Sequence, residues 1–232
     1  MRDYWSLTGN DRYDIGCTGQ TVFLLDKKGT EIAKFKDLIY AYDAAISPRG
    51  DIFAVNSSEG ILAVYSFSPP ALQKKFRYAK ADWGGGDSFC FSPDGSEFFH
   101  IQPYLSCLRT SLAVYDTGSF ALKKRILYEN DRLVLDVIEY DRESGDYFLL
   151  GFYRNTDGIA SKYFVGKLKG DELSQIIEIP EKTHWFYHFF CLLRAHGFTK
   201  KSYRWSYFEK DLEELKRSDY SLADLWKSGV RE

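Results

Sequence analysis

From Trp5 to Ile179 the chain runs in short apolar-rich segments, several of them alternating with a period of two, broken by polar turns. Such a run places every second side chain on one face, the pattern of a half-buried β-strand. Tyr13-Asp14-Ile15-Gly16-Cys17, Val22-Phe23-Leu24-Leu25-Asp26 and Glu31-Ile32-Ala33-Lys34-Phe35 are consecutive examples, preceded by a shorter strand at Trp5-Ser6-Leu7. Between later runs stand Ser47-Pro48-Arg49-Gly50 and Ser92-Pro93-Asp94-Gly95. Pro presets φ for a turn and Gly accepts a positive φ, so both segments predict hairpins.

The runs repeat as a set. Ile61-Leu62-Ala63-Val64-Tyr65 followed by Ala71-Leu72-Gln73-Lys74-Lys75 returns as Ser111-Leu112-Ala113-Val114-Tyr115 followed by Ala121-Leu122-Lys123-Lys124-Arg125, and Tyr78 and Tyr128 close the two copies. Each unit therefore predicts one antiparallel four-stranded sheet. A longer fourth unit runs through 135–140, the Asp141-Arg142-Glu143-Ser144-Gly145 turn, 147–153, 163–168 and 173–179.

Phe91-Ser92-Pro93-Asp94-Gly95 and Val22-Phe23-Leu24-Leu25-Asp26 resemble blades of the WD40-like β-propeller superfamily, over roughly Asp3 to Pro180. The resemblance implies an all-β small propeller and says little of activity, because this fold hosts unrelated functions. At about 40 to 50 residues a blade, the expectation is five blades, the last incomplete and finished by C-terminal helices. Four blades with a helical cap is the alternative.

The C-terminal pattern differs. Trp185-Phe186-Tyr187-His188-Phe189-Phe190-Cys191-Leu192-Leu193 is continuously apolar, which suits a strand buried on both faces, and a further strand is expected near Ser202 to Trp205. After Ser206 the period becomes helical, with Phe208, Leu212 and Leu215 on one face and Glu209 completing a capping box. A second short helix carries Leu222, Leu225 and Trp226 and stops at Gly229. The division expected is a β-propeller domain over 1–205 and a helical extension over 206–232.

Composition then narrows the partners. With 31 basic and 33 acidic residues the net charge is -2, so no broad field attracts nucleic acid or an anionic membrane. No run of about 18 apolar residues and no signal-like start is present, which makes the cytoplasm the expected compartment. Cys17, Cys90, Cys107 and Cys191 lack metal-ligand spacing and read as reduced, buried thiols.

In a propeller, loops between blades and between the second and third strands share one face, where binding gathers. That register nominates Tyr42, Asp82, Trp83, Tyr104, Arg109, Arg154, His184 and Trp185, with Gln102 and Tyr40 nearby. Gly84-Gly85-Gly86 after Trp83 reads as a crossover, since a phosphate loop needs a following Lys and helix. Asp43, Asp87 and Asp136 fall near the starts of innermost strands, where turn hydrogen bonding is the ordinary role and paired carboxylates for glycoside hydrolysis the alternative. His184 and His188 on a strand would stand about 13 Å apart, too far to share a metal; on a helix they would be neighbours, with zinc the alternative to a packing role. Lys34 and Lys36, Lys74-Lys75 and Lys123-Lys124-Arg125 charge the outermost strands against edge pairing.

These readings favour a non-catalytic protein–protein interaction module, with carbohydrate binding or hydrolysis as the alternative. The expected partner is a protein, with homodimerisation a further option; no cofactor, catalytic residue or metal is expected.

Overall fold

The structure, a computed structural model, describes residues 4–79, 88–104, 106–128, 132–195 and 221–229, the side chains of 106–108 and 189–195 excepted. The Ser-Pro-x-Gly segments fold as their chemistry requires. The Gly50 amide donates to the Ser47 carbonyl and the Ser47 amide to that of Ile52, and Ser92, Gly95 and Glu97 repeat the arrangement. Gly50 and Gly95 each sit at φ 68°, where a side chain would be strained. The Asp94 carboxylate accepts from Ser92 Oγ, Ser96 N and Ser96 Oγ, which holds its pKa down at about 2.

Among the described residues hairpins link the strands into four antiparallel meanders. Sheet one holds β1 (Ser6–Gly9), β2 (Tyr13–Cys17), β3 (Val22–Asp26) and β4 (Glu31–Phe35). Sheet two holds β5 (Ala41–Ile46), β6 (Ile52–Ser57), β7 (Ile61–Phe67) and β8 (Pro70–Arg77). Sheet three comprises β9 (Phe89–Phe91), β10 (Glu97–Tyr104), β11 (Ser106–Asp116) and β12 (Leu122–Ile126). Sheet four comprises β13 (Leu133–Asp141), β14 (Asp146–Arg154), β15 (Ala160–Lys169) and β16 (Glu172–Ile179). Among the described residues two helices follow, α1 (Glu181–Ala195) and α2 (Leu222–Gly229).

The chain divides into two compact units, one holding sheets one and two and the other holding sheets three and four, most of α1, and α2. In the first unit Ile15, Cys17, Val22 and Leu24 of sheet one pack with Phe53, Val55, Ala63, Tyr65 and Phe67 of sheet two. Tyr13 stacks on Phe67 at 4.6 Å and Phe53 on Tyr65 at 5.1 Å between centroids. Burial pushes the Cys17 thiol up to about 12 and the Cys90 thiol upward as well, so neither is a nucleophile at neutral pH.

In the second unit one face of sheet three, with Phe99, Ile101, Leu112 and Val114, packs on Leu135, Ile138, Leu149 and Phe164 of sheet four. The opposite face of sheet four, with Val137, Phe148, Leu150, Tyr163 and Val165, buries Tyr187 of α1 and Leu222, Ala223 and Leu225 of α2. Sheet four thus lies between sheet three and the helices. Its β13 carries a bulge at Asp136, since Leu135 pairs with Gly151 and Val137 with Leu150. The extra residue lets Val134 and Val137 serve one core and Leu135 and Ile138 the other.

The predicted final helix is present, capped by Ser221, whose Oγ accepts the Asp224 amide at 3.1 Å and donates to the Asp224 carboxylate at 2.7 Å. The run from Trp185 to Leu193 corrects the expected strand, because it lies inside α1. Its inward stripe is His184 and Tyr187, three residues apart, while Trp185 turns outward. Pro180 and the acidic Glu181 provide the helix start, the Pro180 carbonyl accepting the His184 amide. Among the described residues there are accordingly four sheets, and the described part of the stretch assigned to a fifth blade is helical. The strand expected near Ser202 and the helix after Ser206 lie outside the described residues, as does the 205/206 division.

Candidate functional site

Sheets two and three share the same strand pairings, so their differences can be placed. Phe53 pairs with Tyr65 as Phe98 pairs with Tyr115, and Ala63 pairs with Lys75 as Ala113 pairs with Arg125. The sequence offset is 45 positions from Phe53 to Phe98 and 50 from Tyr65 to Tyr115, so sheet three carries five more residues in its β10–β11 hairpin. Tyr104 stands on that extension, and a register shift after Pro103 turns it out of the regular ladder.

Two arginines meet the Tyr104 ring. The guanidinium carbons of Arg109 and Arg125 lie 5.6 and 6.0 Å from its centroid. Arg125 donates from Nη1 to Ser111 Oγ at 2.6 Å and from Nη2 to Gln102 Oε1 at 2.9 Å. Arg109 donates from Nη2 to the Tyr128 carbonyl at 2.7 Å. Every one of these acceptors is neutral, and no ion pair of either arginine is found among the described residues.

Behind the arginines the network is fully buried. Gln102 Nε2 donates to Tyr115 Oη at 2.8 Å and stands 2.9 Å from His100 Nδ1, which must then be the accepting nitrogen. With both amide hydrogens engaged, the Gln102 oxygen is left to face Arg125. Burial, with the Arg125 charge adding to it, holds the His100 pKa down at about 3, so the ring is neutral at physiological pH.

A second group lies at the foot of α1. His184 Nε2 is 3.1 Å from the Asp136 carboxylate on the β13 bulge, within ion-pair range but off the line that a hydrogen bond needs. The His184 ring meets Tyr163 at 4.7 Å and the edge of Phe152 at 5.9 Å. Trp185 Nε1 and Tyr163 Oη both donate to Glu181 Oε1, at 3.3 and 3.1 Å. Arg154 lies over Phe152 and donates to the Gly158 carbonyl at 2.7 Å. The two groups adjoin, since Thr110 Oγ1 accepts the amide of Leu135, beside Asp136, at 2.6 Å.

The nominated residues are thus sorted. Tyr104 and Arg109 come together with Arg125 and Gln102, and Arg154, His184 and Trp185 come together around Phe152 and Tyr163. Tyr42 belongs to the first unit, where its hydroxyl accepts from Asn56 Nδ2 at 3.2 Å. Asp82 and Trp83 lie outside the described residues, as do the adjacent glycines and Asp87. Asp43, inside β5 beside a register shift, accepts its own neighbour's amide, and Asp136 faces a histidine. The helix sets His184 and His188 one turn apart, with rings 6.1 Å between centroids, correcting the wide spacing of the strand reading. Among the described residues no set of three His, Cys, Asp or Glu is arranged to hold a metal ion.

Arg125 and His100 were not nominated from sequence. The repeat bears on Arg109 instead: at an offset of 50, Glu59 becomes Arg109 and Arg77 becomes Leu127. Arg77 and Glu59 form an ion pair at 3.9 Å in sheet two, so the substitution reverses a charge and removes its partner.

No family model matches the chain, and no curated protein matches it. Among 1008 matching solved chains is hydrazine synthase of Kuenenia stuttgartiensis, at TM-score 0.61 and 14% identity, over 77% of this chain and 50% of that one. This chain therefore spans half the length of the protein it matches. No helix among the described residues is long and apolar enough to cross a membrane. A likeness at this identity carries the fold and not the activity; together with the four antiparallel meanders it makes the protein a mostly-β, propeller-like fold with C-terminal helices.

Proposed function

We propose that the protein is a non-catalytic interaction module of the WD40-like propeller kind, which presents hairpin-end aromatic and arginine side chains to a protein partner. The observation that carries this reading is Tyr104 with two guanidiniums against its ring, each fixed by hydrogen bonds to the sheet behind it. Tyr, Trp and Arg dominate the energetics of protein interfaces because they bury large area and lose little freedom on binding. Trp185, 38% exposed and pinned through its indole N–H, supplies a second anchor.

The test is affinity purification of the tagged full chain from its native lysate, alongside Tyr104→Ala and Trp185→Ala. A stoichiometric protein retained by the wild type and lost from Tyr104→Ala, with thermal unfolding unchanged, supports the reading. Recovery of no protein, or tight binding to a glycan array instead, overturns it.

A further inference from the structure

We propose that the Arg109–Tyr104–Arg125 group is a carboxylate-binding clamp, taking an acidic side chain of the protein partner. The inference rests on the interaction-module reading and adds the chemistry of what is recognised.

The first support is the comparison with sheet two. There the corresponding hairpin neutralises itself, Glu59 pairing with Arg77. In sheet three the acid has become Arg109 and its basic partner Leu127, while Lys75, which in sheet two donates to the Asp37 carbonyl, has become Arg125. Two permanent cations therefore occupy positions where the same scaffold elsewhere carries a paired acid and a lysine. The scaffold does not need this arrangement to fold, because sheet two forms the same strand pairs without it.

Donor geometry gives the second support. A guanidinium carries five N–H donors in a planar fork. Arg109 spends one on Tyr128 and Arg125 two on Ser111 and Gln102, all neutral oxygens, so donors and the whole of both charges remain for an external acceptor. A planar carboxylate accepts two parallel N–H bonds from such a fork, and charge-assisted bonds of this type are about twice as strong as neutral ones.

Preorganisation supplies the third. Gln102 is fixed by His100 and Tyr115, and it in turn fixes Arg125. Both arginines are half-buried against Tyr104, which lowers the dielectric around them and lessens the freedom lost when a ligand docks. The net charge of -2 supplies no long-range attraction for a polyanion, so a short acidic segment fits better than nucleic acid.

The experiment is fluorescence anisotropy of the full chain with a dye-labelled, end-blocked peptide bearing glutamates in a Gly-Ser background, and with the same peptide bearing glutamines. The glutamate peptide should bind, weaken as salt is raised, and lose about tenfold or more in affinity against Arg109→Gln. Arg125→Lys, which keeps the charge but not the fork, should lose several-fold with the fold intact. Glu59→Gln, in the other unit, should change nothing. Equal affinity for the glutamine peptide, or undiminished binding by Arg109→Gln, overturns the clamp. If Arg109→Gln keeps a lysate partner that Tyr104→Ala loses, the clamp falls while the interaction module stands.

Discussion

Sheet two and sheet three place different chemistry on the same strand register. In sheet two the face shared by Phe53 and Tyr65 continues through Val55 and Ala63, and it joins an apolar core with sheet one. In sheet three the same positions hold Phe98, Tyr115, His100 and Ala113, and beside them Gln102 replaces Ser57. One copy buries a hydrophobic surface; the other buries a hydrogen-bonded chain ending in Arg125. A buried polar group costs stability unless it is fully partnered, and an apolar replacement is available by example a few strands away. The comparison teaches that the sheet-three network is not a folding requirement, and that its outer end is where its use should be sought.

The largest expected effect tests what the copies share. Phe53 and Phe98 are both fully buried at the same register, so Phe53→Ala and Phe98→Ala should each cost ~3 to 5 kcal/mol in chemical denaturation. A cost below about 1 kcal/mol for either would mean that the two sheets are not built alike.

Next comes the amide at the centre of the difference. Gln102→Ala removes at once the bonds that Gln102 makes to Arg125 Nη2, Tyr115 Oη and His100 Nδ1, and should destabilise by ~2 to 3 kcal/mol. Ser57→Ala, at the equivalent position, removes one hydroxyl bonded to the Ile39 carbonyl and should cost about 1 kcal/mol.

His100 gives the comparison a pH axis. Its folded pKa is depressed to about 3 by burial, with Arg125 adding to the effect, whereas an unfolded histidine titrates near ~6.5. Below that upper value the unfolded chain binds a proton that the folded chain refuses, so stability is full above ~6.5 and is lost as pH falls toward 3. Between about pH 6.5 and 5 this amounts to ~2 kcal/mol. His100→Val, the sheet-two residue, should flatten the slope over that range, whatever it does to stability at pH 7. An unchanged slope would mean that His100 is not buried neutral.

The hydroxyls of the paired tyrosines should differ in sign. Tyr115 Oη accepts from Gln102, and Tyr115→Phe should cost about 1 kcal/mol. Tyr65 Oη is buried with no hydrogen-bond partner among the described residues, and burial raises its pKa. Tyr65→Phe should therefore be neutral or slightly stabilising by denaturant midpoint.

Much of this architecture was legible in the chain, for reasons these residues illustrate. Tyr13–Cys17, Val22–Asp26 and Glu31–Phe35 match their observed bounds, because short apolar-rich runs between polar turns fall at the offsets of the repeat. The Ser-Pro-x-Gly turns were legible because a positive φ selects glycine. The run beginning at Trp185 was not, since an unbroken apolar stretch has no parity and its true inward stripe uses His184, which does not score as apolar. Tyr104 and Arg109 could be nominated as hairpin residues. Arg125 could not, because Lys123, Lys124 and Arg125 look alike until the register is known. Lys123 then reaches Glu97 and Lys124 reaches Asp171, each at 2.5 Å, while Arg125, opposite Ala113, turns to Ser111 and Gln102.

The smallest expected change in stability sharpens the comparison most. Arg109→Glu with Leu127→Arg rebuilds in sheet three the ion pair that Glu59 and Arg77 make in sheet two. That pair is largely exposed, and exposed pairs contribute only ~0 to 1 kcal/mol, so the graft should leave the thermal midpoint nearly unchanged. Its effect on binding should be large. The hairpin would regain its own counter-charge, Tyr104 would keep one guanidinium in place of two, and the glutamate peptide should lose affinity more than it does with Arg109→Gln. The reciprocal graft, Glu59→Arg with Arg77→Leu, should not create a binder in sheet two, because neither the longer hairpin with its Tyr104 nor the Gln102 that orients Arg125 has a counterpart there. If the reciprocal graft did bind the glutamate peptide, loose positive charge would suffice, and the geometry of the clamp would be irrelevant to recognition.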